Sequence, residues 1–260
     1  MRLNAAKLAA LALAMACTQL PAARAHERPQ NATQDTTQDA ALQTSQDAAV
    51  EGSEASNGAA RPRPVFRVDF LDKELAPSQW TLVLYPDGTG HFHADRANST
   101  APKPSTIEPI SVDREVKLSP EFTAWVFATV RANQFLHLQC QSDMKVAFQG
   151  WKTLSYRGPD GEGNCRFNYS KNKQIQALGE SMVGVASTLM AGARLELLRQ
   201  HEPLGLDSEM SYIVDAVGDG RLLQIYAIQG TLRSIAGDPD VMDRVKRQAR
   251  KLLARADRGQ

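Results

Sequence analysis

The chain has 260 residues, of which 23% are charged, and its formal net charge is +1. This balance excludes the strong basic excess that is typical of nucleic-acid-binding proteins, so we expect no nucleic-acid partner. The hydrophobic content of 42% is ordinary for a globular protein of this length and is enough to form a sizeable core.

Residues 1–25 have the pattern of an export signal. Two basic residues precede a short apolar run, Leu8–Cys17, which is too short to span a bilayer by itself. Ala23 and Ala25 form an A-x-A cleavage pattern, so we expect the mature chain to begin at His26 and to be periplasmic or secreted. Because the signal holds three basic residues and no acidic one, its removal changes the net charge from +1 to −2.

A second interpretation of the same region is lipoprotein processing at Cys17. Small residues precede this cysteine, but the leucine that usually stands three positions before it is replaced by Ala14. We therefore favour ordinary export and keep a lipid tether at Cys17 as the alternative. No later stretch approaches the ~20 apolar residues of a transmembrane helix, so we expect no transmembrane segment.

Residues 26–64 have the composition of a disordered linker. The segment is rich in Gln, Asp, Ala, Thr and Ser and contains no Phe, Trp or Tyr. Such a sequence cannot bury enough apolar surface to offset the entropy that is lost on ordering. It is either a spacer that holds the folded part away from a surface or a variable tail, and its composition does not separate the two.

The clearest element of the folded part is a hairpin over Trp80–Asp95. Its turn, Tyr85-Pro-Asp-Gly88, combines a proline that presets φ with a glycine that takes the left-handed conformation. Pairing Tyr85 with Thr89 fixes the register, and side chains then alternate between two faces. The core face receives Trp80, Leu82, Leu84 and Phe92, and the other face receives Thr81, Val83, His91, His93 and Asp95.

Other segments have the alternating pattern of strands. They are residues 65–71, 111–118, 144–148, 151–157 and 164–169. The last two form a second hairpin, and the six residues Gly158–Gly163 are its expected loop.

Helical patterns dominate later in the chain. Ser119-Pro120 predicts the start of a helix that ends near Ala132 and buries Trp125. After residue 170 the apolar period becomes 3.6, which predicts one long helix over 173–200 across the sheet. Shorter helices are predicted at 207–217, at 221–236, and after an Asp238-Pro239 cap with Met242, Val245, Ala249 and Leu252 facing inward.

The order of these elements predicts an α+β fold, because strands come first and helices last. We expect a small antiparallel sheet crossed by helices and followed by a C-terminal helical segment. The corresponding division is an α+β domain over 65–202 and a helical segment over 203–260.

The run from Trp80 to Phe92, Trp-Thr-Leu-Val-Leu-Tyr-Pro-Asp-Gly-Thr-Gly-His-Phe, resembles the first hairpin of a family of uncharacterised domains in exported bacterial proteins. Those domains continue with a Ser-Pro-Glu helix and a final strand pair, which Ser119-Pro-Glu121 and Trp151–Tyr156 match. The resemblance covers roughly residues 65–200, and the whole chain is similar to hypothetical secreted proteins of soil bacteria. It implies a fold and an exported location, but no activity.

Cys140 and Cys165 are the two cysteines that remain after removal of the signal. An even number of cysteines in an oxidising compartment favours a disulfide. Cys165 shares a strand face with Phe167 and Tyr169, so it should point inward. We expect a disulfide that stabilises the fold by about 3 kcal/mol, and two buried free thiols are the alternative.

His91, His93 and Asp95 place two imidazoles and a carboxylate on one strand face. Residues two apart on a strand lie near enough to bind one ion, and this donor set suits Zn²⁺. A complete site would need a further ligand, for which His137 and His201 are the remaining histidines of the folded part. We favour the simpler interpretation that this face is solvated and holds no metal.

The sequence contains no G-x-S-x-G elbow, Walker loop, H-E-x-x-H motif or Rossmann fingerprint. The basic last helix, with seven Lys and Arg residues from Arg244 to Arg258, is best explained as a solvated face. We therefore expect a non-catalytic envelope or secreted module that binds a protein or ligand and needs no cofactor. The alternative is a divalent-metal-binding protein or metal-dependent hydrolase that uses His91 and His93.

The export signal generates the first testable prediction. We expect mass spectrometry of the exported protein to show a mature chain that begins at His26, because the A-x-A pattern follows a short apolar run. A diacylated species that begins at Cys17 would instead place the protein on a membrane.

Overall fold

The computed structural model describes residues 63–96, 99–101 and 107–257. The expected cleavage site at Ala23 and Ala25, the possible lipid site at Cys17 and nearly all of the expected linker lie outside these residues.

Six antiparallel strands form one sheet in the order β4-β3-β2-β1-β5-β6. The strands are β1 (Val65–Leu71), β2 (Gln79–Leu84), β3 (Thr89–Asp95), β4 (Ser111–Lys117), β5 (Trp151–Gly158) and β6 (Gly161–Phe167). Buried and accessible residues alternate along them, which leaves one face on the core and one face accessible. With the helices described below, this architecture confirms the predicted α+β class.

The predicted register of the first hairpin is confirmed. The backbone N–H of Tyr85 donates to the carbonyl of Thr89 at 2.8 Å, and Gly88 has a φ of 81°. Leu82 is opposite Phe92, and Thr81 is opposite His93. Both histidines therefore lie on the face away from the core.

The second hairpin differs from the expected one at its turn. Gly158 pairs with Gly161, so only Pro159 and Asp160 connect the strands, and the rest of the expected six-residue loop belongs to the ladder. Gly163 is needed there because a Cβ atom would lie 2.5 Å from the carbonyl oxygen of Phe135. The glycines of β6 thus make room for a neighbouring segment instead of forming a loop.

The helices are α1 (Pro120–Ala132), α2 (Lys173–His201), α3 (Leu206–Gly218), α4 (Gln229–Gly237) and α5 (Asp243–Ala256). The Ser119 side chain caps α1 as predicted, by accepting a hydrogen bond from the backbone N–H of Phe122. The burial expected for Trp125 is wrong, since 37% of this residue is exposed. Its ring packs beside Phe122, while Val126 and Val130 take the core positions.

Two of the C-terminal expectations also need correction. The helix expected over 221–236 is divided, because Gln224 has a φ of 58° and a 3₁₀ turn, Ile225–Ile228, precedes α4. The last helix begins at Asp243 and not at the Asp238-Pro239 pair. Met242, which was expected to face inward, has an extended backbone before the helix and is 45% exposed.

One continuous apolar core joins the sheet, α2 and the C-terminal helices. The division into an α+β domain over 65–202 and a helical segment over 203–260 stays a prediction. In the described ranges α2 is the one helix whose length and hydropathy would allow it to cross a membrane, but more than half of that stretch is buried inside the protein. This burial is what the central helix of a globular core shows.

Residues 133–150 connect α1 to β5 and lie against the end of β6. Gln134, Phe135 and Leu136 have φ values of 53°, 54° and 70°, which form a left-handed turn that L-residues rarely adopt in succession. The Phe135 ring stacks on Tyr156 with the ring centres 5.7 Å apart. The predicted disulfide between Cys140 and Cys165 is present and ties this segment to β6.

Lys152 is an unusual core residue because only 2% of its surface is exposed. Its ammonium group donates to the carbonyl oxygens of Gln149 and Gly150 at 3.2 and 3.1 Å. Burial lowers the pKa of Lys152 below its usual value, and the more distant charges of Glu180 and Asp72 oppose this shift only in part. The folded chain therefore takes up a proton on this amine less readily than the unfolded chain does.

Lys152 generates a prediction about pH dependence. Between the lowered pKa of the folded state and the usual value near 10.5, the unfolded state binds more protons, so the wild type gains stability as the pH rises. Lys152→Met removes this gain, which amounts to at most about 1.4 kcal/mol per pH unit. The stability of the variant relative to wild type should therefore fall as the pH is raised from neutral towards 10.

Urea unfolding of both proteins across this pH range measures the difference directly. Lys145→Met, at an exposed position in the same segment, is the matched control and should change the free energy of unfolding by less than about 0.5 kcal/mol. A stability difference between Lys152→Met and wild type that does not change with pH would contradict the prediction.

Candidate functional site

The accessible side of the sheet, here called the open face, is the candidate site. Its outward side chains all keep some exposed surface, so no described helix covers them. They are Val65, Arg67, Asp69 and Leu71 of β1; Gln79, Thr81 and Val83 of β2; Thr89, His91, His93 and Asp95 of β3; Ser111, Asp113, Glu115 and Lys117 of β4; Trp151, Thr153, Ser155 and Arg157 of β5; and Glu162, Asn164 and Arg166 of β6.

The strand registers arrange these side chains in rows that cross the whole sheet. One row contains, in order, Asp113, His93, Thr81, Asp69, Thr153 and Arg166. The next row contains Glu115, His91, Val83, Arg67, Ser155 and Asn164, and the row at the end of the sheet runs from Lys117 to Glu162. These three rows begin and end with a polar or charged group. A fourth row, from Ser111 to Trp151, lies beyond the row of Asp113, so the rows of Asp113 and Glu115 are the two middle rows.

The two histidines contact carboxylates of the neighbouring strand β4. His93 Nδ1 lies 2.9 Å from Asp113 Oδ2, and His91 Nε2 lies 3.3 Å from Asp113 Oδ1. The other ring nitrogen of His91, Nδ1, lies 3.2 Å from Glu115 Oε1. The hydrogen bond from His93, together with the charge and hydrogen bond of His91, holds the pKa of Asp113 below its usual value.

The middle of the open face holds a compensated ion pair. Arg67 forms a bidentate ion pair with Asp69, in which Nε and Nη2 donate to the carboxylate at 2.8 and 2.6 Å. The Thr81 hydroxyl donates to the same carboxylate at 2.7 Å. Burial alone would raise the pKa of Asp69, but the hydrogen bonds from Arg67 and Thr81 outweigh it, so this pKa is lowered. Neither charge at the centre is left without a partner.

An aromatic group lies at one end of β5. The Arg166 guanidinium stacks over the Trp151 ring at 4.6 Å from the ring centre, and Phe148, which is 52% exposed, contacts the edge of Trp151. Among the described residues Arg166 has no carboxylate within ion-pair distance. Trp151, Arg166, Asp69, Thr81 and His93 border a groove of about 380 Å³ on the open face.

Charge is separated across the open face. The acidic end, on β3 and β4, is formed by Asp95, Asp113 and Glu115, while the basic end, on β5 and β6, is formed by Arg157 and Arg166. One residue of opposite sign accompanies each end: Lys117 at the acidic end and Glu162 at the basic end. The open face is thus mainly negative at the β4 edge and mainly positive at the β6 edge.

The structure places His91 and His93 side by side as predicted, but it brings them to Asp113 and Glu115 and not to Asp95. The Asp95 carboxylate accepts a hydrogen bond from the Gln79 amide at 3.4 Å. No group of three or more His, Cys, Asp and Glu side chains within the described ranges has the geometry of a metal site. Zinc binding by His91 and His93 therefore stays a prediction.

Sequence reasoning missed Asp113, Glu115, Asp69 and Arg166 as members of this face. The alternation of β4 was a usable signal for the first two, since Asp113 and Glu115 stand two apart in a predicted strand. The pairing of Arg67 with Asp69 follows the same spacing on β1.

Comparison with known proteins adds no relative. No protein-family model matches the chain, and no curated protein matches it. The resemblance to uncharacterised exported domains is therefore still a prediction.

The position of the histidines generates a test of the metal alternative. We expect His91→Ala combined with His93→Ala to change the free energy of unfolding by less than about 1 kcal/mol, because half-exposed side chains leave no cavity when truncated. We also expect EDTA to leave the melting temperature of the wild type unchanged. If both treatments lower the melting temperature by a similar large amount, the histidines hold a metal in the native state.

Proposed function

We propose that the protein is an exported, non-catalytic interaction module and that it binds its partner through the open face. The observation that carries this proposal is a six-stranded face that no described helix covers and whose charge is separated between its two edges. Antiparallel sheets often leave one face in water, so exposure alone would not be an argument. The composition and pairing of the side chains are what distinguish this face.

The composition of the open face is that of a binding surface. Its centre and basic end carry Arg67, Arg157, Arg166 and Trp151, and its single lysine, Lys117, lies at a corner. Arginine and tryptophan are enriched at protein interfaces and lysine is depleted, because a guanidinium and an indole bury more contact area for less loss of hydration.

The electrostatics of the centre also favour binding. Covering an isolated charge is costly, but Arg67 and Asp69 already satisfy each other, and Thr81 supplies a further hydrogen bond. A partner that covers the centre would therefore not bury an unpaired charge. The charged residues at the acidic and basic ends could still select the orientation of the partner.

Export is supported by the Cys140–Cys165 disulfide, since such bonds persist in oxidising compartments. The signal pattern of residues 1–25 points to the same location. A periplasmic or secreted protein without a cofactor is the simplest combination of these observations with the open face.

One observation favours the alternative, a divalent-metal protein built on His91 and His93. His93 meets the Asp113 carboxylate through Nδ1 alone, an arrangement in which a carboxylate often orients a metal-binding histidine. Both ring nitrogens of His91 contact carboxylates, so His91 would have to give up one of these contacts to bind an ion. The EDTA experiment above decides between this alternative and simple ion pairing.

Site-specific photo-crosslinking in the exporting cell tests the main proposal. A photoreactive amino acid at Thr81, in the centre of the open face, should form a covalent adduct with the bound partner. The matched control position is Lys251, an exposed residue of α5. We expect an adduct from position 81 but not from position 251, and its yield should drop when Arg166→Asp is added.

The outcome is informative whatever the identity of the partner. Equal adducts from both positions, or none from position 81, would overturn the proposal that the open face is the binding surface. The mass of the adduct then reports whether the partner is another protein or a second copy of this chain.

A further inference from the structure

We propose that the partner of the open face is a second copy of this chain, docked face to face about a two-fold axis that runs parallel to the strands. This inference rests on the proposed function, because it identifies the occupant of the same surface. Three features of the open face carry it: its charge pattern, its centre and its size.

Of the two face-to-face arrangements with aligned strands, one makes the charge pattern complementary to itself. A two-fold axis parallel to the strands, between two stacked faces, places β4 of each copy over β6 of the other while each row still meets the same row. Asp113 then lies opposite Arg166 of the second copy, since they are the two ends of one row. Both such contacts in the dimer are attractive.

Each end of the open face also has one residue of the opposite charge, and the same two-fold axis brings these two residues together. Lys117 and Glu162 are the two ends of the last row, so each Lys117 lies opposite Glu162 of the second copy. The one basic residue of the acidic end, Lys117, thus meets the one acidic residue of the basic end, Glu162. An arrangement of unrelated surface charges gives no reason for this agreement.

The other face-to-face arrangement is repulsive. A two-fold axis that runs across the strands places β4 over β4 and exchanges the two middle rows. Asp113 would then lie over Glu115 of the second copy, and neither Arg157 nor Arg166 would face these two carboxylates. The charges therefore select a single orientation, as they do at specific interfaces.

The centre of the face suits close packing of two sheets. Thr81, Val83 and Thr153 are small, and the Arg67–Asp69 pair lies between them with its charges satisfied. Two sheets with small inward residues and similar strand directions form a sandwich with a layer spacing of ~10 Å.

The size of the face matches that of a stable interface. Six strands at ~4.8 Å spacing, with lengths of about seven residues at ~3.4 Å, give roughly 700 Å² per copy. Two copies together would bury roughly 1,400 Å², which lies within the range of specific protein–protein interfaces.

Charge exchange between the two ends tests the inference. Asp113→Arg makes each end contact of a homodimer basic against basic, and Arg166→Asp makes it acidic against acidic. We expect each variant alone to raise the dimer dissociation constant by about tenfold or more, as measured by sedimentation at low ionic strength. Lys251→Asp, the control with the same change of charge as Arg166→Asp but on α5, should leave it unchanged.

A mixture of the two variants provides the decisive measurement. In a heterodimer of Asp113→Arg with Arg166→Asp, both end contacts join an acidic residue to a basic one, so association should return to the wild-type level. The double variant in one chain restores the same contacts and should dimerise as the wild type does. Loss of folding in either variant cannot produce this rescue.

Three results would overturn the inference. They are a wild type that stays monomeric up to millimolar concentration, a dimer that neither single variant weakens, and variants that are weakened but not rescued by mixing. If the wild type is monomeric and position 81 nevertheless crosslinks to a different protein, the proposed function stands and only the identity of the partner is wrong.

Discussion

The turn at Tyr85–Thr89 is the constraint on which the rest of the sheet depends. Gly88 takes a left-handed backbone that closes the hairpin, and its carbonyl accepts a hydrogen bond from Leu118 at 2.9 Å just after β4. One turn thus sets the pairing of β2 with β3 and anchors the end of β4. A slip of one residue would move Phe92 to the solvent and both histidines into the core, so this small piece of backbone decides which side chains form the open face.

A second constraint acts at the opposite edge of the sheet. Cys165 points into the core and is bonded to Cys140, while the next residue, Arg166, points to the open face. The disulfide therefore fixes the strand that presents the basic end. The disulfide stabilises the fold and, through the same strand, holds in place the Arg166 cation at the basic end of the open face.

The sequence predicted those parts of the structure that local chemistry controls. The Pro-Asp-Gly turn sets the register of the first hairpin, and the change of the apolar period from 2 to 3.6 marks α2. The two cysteines outside the signal can form only one disulfide with each other. The partners of His91 and His93 could not be predicted in the same way, because β3 and β4 are joined by a long segment, residues 96–110, that does not set a register. The break at Gln224 could not be predicted either, because glutamine is not among the residues that favour a positive φ.

The polar groups buried near β5 have a common explanation in the irregular segment before it. Residues 137–150 form neither helix nor strand, so several of their backbone groups are satisfied by side chains. Lys152 donates to two of their carbonyls, and Asn168 both donates to Ala147 and accepts from Gln149. This segment carries Phe148, which supports Trp151, on which Arg166 stacks. The desolvation cost of burying Lys152 is therefore linked, through this segment, to the position of Arg166 at the basic end. A substitution in this part of the core would also affect the open face.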